Sequence, residues 1–371
     1  MKIETLSVHA GRSVDPNTKA VTPPIYLSTT FERGIDGEYP EGFKYSRNNN
    51  PNRESLEKCI TELEGGEDGI AFSSGSAAAM SVFQTLKPGD HVIATDDIYH
   101  GTKNLLKGFN KWNIKSTFVD MTNIEIVKEA ITEKTSLFWI ETPTNPLIKI
   151  IDIKKISELA HKNNSIVVCD NTWATPVLQN PFEFGADFIV HATTKYIGGH
   201  SDILGGIVIS KNNDDVSQQI REIQKSGGAV PSPFECWLVL RGIQTLPLRV
   251  RAQSDSAMKI AEFLNSHKSI SKVHYPGLKN HPGHSIAKKQ MKMFGGMISI
   301  QIAGGEKEAL AVTSKVKIFT RATSLGGPES LIEHRASVEG PDTKTPKNLL
   351  RLSIGLEHFE DLIDDLKNAL E

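Results

Sequence analysis

Residues 69–83 read GIAFSSGSAAAMSVF. The stretch divides into a short apolar run ending at Phe72, a Ser/Gly turn and an Ala-rich helix start. Strand, glycine turn and helix in that order make the first crossover unit of an α/β protein. Ser74, Gly75 and Ser76 open the helix, where the first backbone N–H groups lack intrahelical acceptors and suit an anion such as phosphate. An ordinary Ser/Gly turn with a helix cap reads the same way. Neither the full P-loop lysine motif nor the spaced-glycine dinucleotide fingerprint accompanies it.

Outward from this unit the pattern repeats. Upstream, Leu56, Ile60 and Leu63 recur at helical spacing. Downstream, β-rich apolar runs stand at 91–95, 116–120, 136–141, 165–170, 187–193 and 205–210, several separated by helical stretches at 127–131 and 153–162. This alternation predicts a mostly parallel sheet covered by helices on both faces. Gly and Pro in GGAVPSP, 227–233, mark a boundary. Past it, a helical stretch with Trp237, Leu240 and Ile243 leads to strands at 297–303 and 349–355 and a last helix within 357–370, predicting a smaller α+β unit. The first forty or so residues, rich in Thr, Pro and Gly without sustained period, read as an extended arm ordered by other parts of the protein. The expected divisions are an arm over 1–43, a main domain over 44–230 and a C-terminal domain over 231–371.

Composition excludes several functions. Lys and Arg total 42 against 44 Asp and Glu in 371 residues, a net charge of −2, so no broad basic surface for nucleic acid is expected. No apolar run is long enough to span a bilayer, and MKIETLSVHAGRS lacks a signal-peptide core. Cys59, Cys169 and Cys236 are far apart and odd in number, which argues against a disulfide framework or zinc knuckle and for a reducing, cytoplasmic setting. No metal site is expected, because no Cys/His cluster has ligand spacing. His191 and His200 read as structural histidines.

In an open parallel sheet, ligands gather at the carboxyl ends of the strands. Asp170 ends the run SIVVCD, where a partly desolvated carboxylate needs a partner. Lys195 follows DFIVHATT and is flanked by small, polar and Gly residues, a setting that suits a lysine held in a tight site. A desolvated lysine amine has a lowered pKa and can form a Schiff base. A strand-end Asp, such a Lys and a helix N-terminus are together the parts that pyridoxal phosphate requires.

Six motifs carry a family resemblance: YSRNNNPNRESLE at 45–57, ETPTNP at 141–146, DNTWATP at 170–176, TTKYIGGHSDILGG at 193–206, LRGIQTLPLR at 240–249 and SLGGPESL at 324–331. With LSVHAG at 6–11, they make the chain similar to the cystathionine γ-synthase and γ-lyase family of trans-sulfuration enzymes. The resemblance implies the fold type I, aspartate-aminotransferase-like architecture of pyridoxal-phosphate-dependent enzymes, with 44–230 as the cofactor domain. It implies a Schiff base on Lys195, Asp170 against the pyridine nitrogen, Thr172 near the ring, and Tyr99 stacked on the cofactor and acting at the leaving group. Ser74, Gly75 and Ser76 match the phosphate cradle, Thr193 and Thr194 supply hydroxyls to it, and Tyr45 and Arg47 match a pair reaching the phosphate of a neighbouring subunit. Asn145, Ser324 and Arg351 match residues near the cofactor hydroxyl and the substrate carboxylate, for which a guanidinium is a natural clamp. Ser324, Thr172 and Glu141 are also open to packing or capping roles. A homotetramer of dimers with shared active sites, acting on small amino acids, is implied.

Departures from the family pattern point to the reaction. Ala192 stands where many members have a phosphate-binding Ser. Thr323 replaces a Glu found before SLGG in many cystathionine enzymes, and Lys44 an acidic residue beside the arm tyrosine. Both remove negative charge from where the distal ammonium of cystathionine would lie, and Lys44 suits an anionic or neutral O-acyl homoserine ester. Gly101 replaces the Cys usual in methionine γ-lyases. The expectation is therefore cystathionine γ-synthase, joining O-acyl homoserine and cysteine. The alternatives are a cystathionine γ-lyase, or related methionine or homocysteine γ-lyase, releasing 2-oxobutanoate, ammonia and a thiol; a catalytically silent pyridoxal-phosphate-binding relative; and a nicotinamide-binding α/β protein, against which the missing glycine fingerprint counts.

Overall fold

The computed structural model describes residues 1–340 and 343–371. Seven strands form the larger sheet: β1 Asp68–Phe72, β2 His91–Thr95, β3 Lys115–Val119, β4 Thr135–Glu141, β5 Ile166–Asp170, β6 Phe188–His191 and β7 Gly206–Ser210, in spatial order β1-β7-β6-β5-β4-β2-β3. From β3 across to β6 all pairings are parallel, whereas β7 runs antiparallel to both β6 and β1. The strands read as near-continuous apolar runs because helices cover both faces. Phe138 and Ile140 of β4 belong to one buried cluster and Leu137 and Trp139 to the cluster on the opposite face.

A second sheet, in order β10-β11-β12-β9-β8, contains β8 Ile270–His274, β9 Met297–Ile302, β10 Thr320–Arg321, β11 Leu331–His334 and β12 Leu349–Ser353. Only β10 and β11 pair in parallel among these five. Its own buried cluster includes Ile298, Ile300, Leu350 and Leu352, covered by the last helix, Phe359–Leu370, through Leu362 and Leu366. The helix Pro233–Ile243 and the start of Leu246–Asn265 instead pack into the larger core through Leu240, Ile243, Leu246 and Val250.

The segment 69–83 folds as the expected strand, turn and helix, with the helix at Gly75–Phe83. β1 lies at the edge of the sheet, paired antiparallel with β7. A buried apolar run carries no record of which strand it joins. One sequence expectation needs correction: the arm is not extended from its beginning, because α1, Ile3–His9, is helical. Ile3, Leu6 and Ala10 follow helical spacing and pack against the larger core, while Ser7 Oγ donates to Ile3 O at 2.8 Å. The segment is short, and its apolar positions are too few to dominate a Thr/Pro/Gly-rich window.

Candidate active site

The carboxyl ends of the parallel strands and the loops of the second sheet enclose a cleft of about 410 Å³. At its floor, β5 ends in Asp170, whose Oδ1 accepts the Thr172 N–H at 3.0 Å. Burial pushes its carboxyl above the usual range, opposed by the hydrogen bonds from Thr172. Such a carboxylate is stabilised by a cation brought against it. Thr172 Oγ1 in turn accepts the Ala192 N–H at 3.0 Å, tying the ends of β5 and β6 together.

Lys195 sits on the turn after β6, held by its own N–H to Ala192 O and by Gly199 N–H to its carbonyl. Its Nζ donates to Ser324 Oγ at 2.7 Å. Burial first, and the positive charge of Arg351 second, bring this amine down to about 8. Ser324 has a left-handed backbone, φ +86°, a conformation that costs a non-glycine residue energy and collects at functional sites.

The helix Gly75–Phe83 points its N-terminus into the cleft, with Ser74 as the cap accepting Ala77 N–H. The backbones around it leave no room for side chains. A Cβ on Gly75 would lie 2.7 Å from Ala192 Cβ, and one on Gly206 2.3 Å from Ser74 O. The result is an exposed helix end with N–H groups free to meet an anion. Thr194 lines this part of the cleft, with its Oγ1 hydrogen-bonded to Gly205 O and Gly205 N. Thr193 is fully buried and is not part of the cleft wall; its Oγ1 faces Gly205.

Tyr99 caps a helix at His100–Gly108 and stands 45% exposed at the cleft. Its N–H donates to Glu141 Oε2 at 2.9 Å. Glu141, at the end of β4, is buried, and burial and then Asp170 push its carboxyl well above the usual range. A Cβ on Gly101 would come 2.4 Å from Tyr99 Cε1, so the ring occupies the space that a larger residue would need.

Arg351 on β12 is 4% exposed. It donates to Asn145 Oδ1 at 2.9 Å, Ser324 O at 3.2 Å and Glu333 Oε2 at 2.7 Å. Its guanidinium lies 5.8 Å from the Trp173 ring centre. Glu333 was not apparent as a site residue from the sequence, nor were Arg335, Glu339 and Trp173. The signal for Glu333 lies in SLIEH and LLRLS, where Glu333 and Arg351 each interrupt a strand-like run with opposite charges. Thr323 also lines the cleft.

The site residues expected just after the arm lie elsewhere. Tyr45 is 40% exposed and pairs with Thr30 through an isolated bridge, Arg47 donates to Lys225 O at 2.7 Å, and Lys44 lies over the Tyr39 ring. None of the three lines this chain's own cleft. His191, fully buried, bonds Glu64 at 2.5 Å through Nε2, and His200 bonds Gly198 O through Nδ1.

A bare helix end for an anion, a buried carboxylate calling for a cation and a lysine amine near neutrality define a pyridoxal-phosphate enzyme of fold type I. The chain belongs to the Cys/Met metabolism PLP-dependent enzyme family, which it matches over residues 4–371. It is 46% identical to a cystathionine γ-synthase of Mycobacterium leprae over 375 residues, 99% of this chain and 96% of the relative. It is equally 46% identical to a cystathionine β-lyase of Lactococcus lactis subsp. cremoris over 380 residues, 100% and 99% of the two chains. The crystal structure of metB from Corynebacterium glutamicum superposes with a TM-score of 0.97 at 44% identity, covering 100% of this chain and 98% of that one.

Proposed function

We propose that the chain catalyses γ-replacement on an O-acyl homoserine, with cysteine as the incoming thiol and cystathionine as the product. The neutral hydroxyl of Thr323 carries this reading. It lies in the cleft wall one residue before the Ser324 that receives Lys195, and it offers no charge to the distal ammonium of cystathionine. Lys44, directly after the arm, adds a positive charge suited to an acyl ester.

Bound in the cleft, pyridoxal phosphate supplies an electron sink for negative charge developing at the carbons of an amino-acid substrate. Asp170 holds a proton on the ring nitrogen. The backbone N–H groups at Gly75 and Ser76, with Ser74 and Thr194, hold the phosphate, and Asn145 and Thr172 orient the ring. Arg351 holds the substrate carboxylate. The Lys195 amine, brought to about 8 by burial and Arg351, is near enough to neutrality to take a proton from Cα and to move protons among the neighbouring carbons. Tyr99, reaching into the cleft from the start of the helix His100–Gly108, protonates the leaving oxygen.

Tyr45, Arg47 and Lys44 are absent from this chain's own cleft, and they complete that of a neighbouring subunit in a homotetramer built of dimers. Exposed Tyr26, Leu27 and Ile35 on the arm before them support such contacts. The three cysteines are buried free thiols, in keeping with a cytoplasmic location.

A second reading, cleavage of cystathionine at Cβ or Cγ, draws on Glu339, a carboxylate in the cleft wall, and on the relatives named cystathionine β-lyase. Both oxygens of Glu339 are already taken, by Arg335 on one side and by Thr343 and Thr345 on the other. Its charge is therefore spent inside the protein. The test is to incubate the holoenzyme with O-acyl homoserine plus cysteine and, separately, with cystathionine. Cystathionine formation supports the proposal; a 2-oxo acid from cystathionine with no synthesis overturns it.

A further inference from the structure

We infer that Arg335 is a positioning residue for the substrate carboxylate, acting through Glu333 on Arg351; this rests on reading Arg351 as the carboxylate clamp. The register of the second sheet sets Glu333 of β11 directly opposite Arg351 of β12. The two side chains meet at 2.7 Å, and both are nearly excluded from water, at 6% and 4% exposed. A buried carboxylate in that place is a built-in competitor. It occupies the guanidinium with the same chemistry that a substrate carboxylate would bring, and in a low-dielectric interior one Glu cancels one Arg.

Arg335, 4% exposed and the first residue after β11, changes that balance. It donates to the other oxygen of Glu333 at 2.7 Å, so the carboxylate is shared between two guanidinium groups. With Glu339 behind Arg335 the four groups sum to zero, but the charge of Glu333 is divided between two guanidinium groups, so Arg351 is only partly offset and retains attraction for a second anion. Arg335 is itself fixed from behind by Glu339 Oε1 at 2.9 Å, and the other Glu339 oxygen accepts from Thr343 and Thr345. The chain Arg351–Glu333–Arg335–Glu339 therefore orients the clamp along its length, and its far end is anchored by two hydroxyls. Arg335 also lines the cleft, yet two of its N–H groups are committed to Glu333 and Glu339. Its effect reaches the substrate through Glu333.

The test measures binding of L-alanine and of L-alaninamide to the holoenzyme by the change in visible absorbance, alongside kcat and KM for whichever amino acid turns over. Arg335→Met should weaken L-alanine about tenfold, leave the amide within about twofold, and raise KM far more than it lowers kcat. Arg335→Lys, which keeps a charge against Glu333, should recover most of the loss and covers the case in which the Met variant fails to fold. In a Glu333→Gln background, Arg335→Met should change L-alanine binding by less than about twofold. Equal losses for L-alanine and the amide, or the same tenfold loss with Glu333→Gln, would overturn the inference, the latter by showing that Arg335 contacts the substrate itself. Arg351→Met separates the two levels: if it spares the preference for L-alanine over the amide, the clamp reading fails along with the inference. If it abolishes that preference and Arg335→Met does not touch it, only the inference fails.

Discussion

The Nζ of Lys195 and the Oγ of Ser324 meet at 2.7 Å across 129 residues of chain, linking the turn after β6 to the loop before β11. Ser324 makes this bond from a backbone with φ +86°, so its hydroxyl and its strain can be separated. Ser324→Ala removes the hydroxyl and keeps the strain, whereas Ser324→Gly removes both. Each should lose about tenfold in kcat/KM, and the Gly protein should be the more stable of the two by about 1 kcal/mol in urea unfolding. An Ala variant with undiminished kcat/KM would remove Ser324 from the reaction.

The Lys195 amine stands at about 8, against 10.5 for an unburied lysine, chiefly because it is desolvated and then because Arg351 lies nearby. A cation whose folded pKa lies below its unfolded one is a cost at low pH, where both states are charged. Between about 8 and 10.5 the unfolded chain binds more protons, and stability rises with pH. The cofactor-free Lys195→Met protein lacks that cost. Calorimetry should find it melting above the cofactor-free parent near neutral pH, with the gap closing across this window; a pH-independent gap would contradict the assignment.

Glu141 has the opposite sign. Burial, and then the charge of Asp170, raise its folded pKa well above that of a carboxyl in water. At pH values below the ordinary carboxylate range both states are protonated and nothing is lost. Above that range the unfolded chain ionises first, and stability falls as pH rises toward the folded pKa. Glu141→Gln keeps an acceptor for the Tyr99 N–H and no longer titrates. It should melt above the parent at mildly alkaline pH and no higher than the parent in acid, as thermal unfolding at the two pH values will tell.

Gly101 leaves room for the Tyr99 ring, since a Cβ there would stand 2.4 Å from Cε1. Gly101→Cys must therefore move the ring or the helix start. Overpacking of this kind costs about 1–3 kcal/mol, and with Tyr99 displaced kcat/KM should fall by at least about tenfold. Retained turnover in the Cys variant would show that the ring relocates without consequence.

Thr323→Glu places a carboxylate in the cleft wall beside Ser324. If neutrality there selects the acyl ester, the variant should gain about tenfold in kcat/KM toward cystathionine while losing synthesis from O-acyl homoserine. Steady-state rates with both substrates decide the matter, and unchanged rates count against the charge argument.

Much of the fold was legible because buried strands and amphipathic helices leave strong patterns. The predicted helix at 153–162 coincides with Ile153–Lys162, and the predicted runs at 91–95 and 205–210 fall on β2 and β7. Asp170 was legible as a polar residue directly after an apolar run, and Lys195 as a lysine flanked by small, polar and Gly residues a few positions past another. Strand order was not legible, since strands covered on both faces look alike and nothing in 68–72 names β7 as a partner. The ionic chain behind Arg351 was equally hidden: Glu333, Arg335 and Glu339 have the composition of a solvated surface, and only the pairing of β11 with β12, with the short helix Arg335–Glu339 that follows it, brings them together.

The edge position of β1 bears on how the cleft comes into being. β7 is the one strand with which β1 pairs in the sheet, and Gly206 of β7 approaches the carbonyl of Ser74 at the helix cap. During synthesis from the N-terminus, the segment destined to grip an anion therefore waits for its support until residues 206–210 have been made, more than a hundred positions later. A chain halted before that point carries the helix, the carboxylate and the lysine, yet it lacks β7, through which β1 joins the sheet and against which the helix start packs. The anion-binding end of the helix is therefore complete only when the larger sheet is.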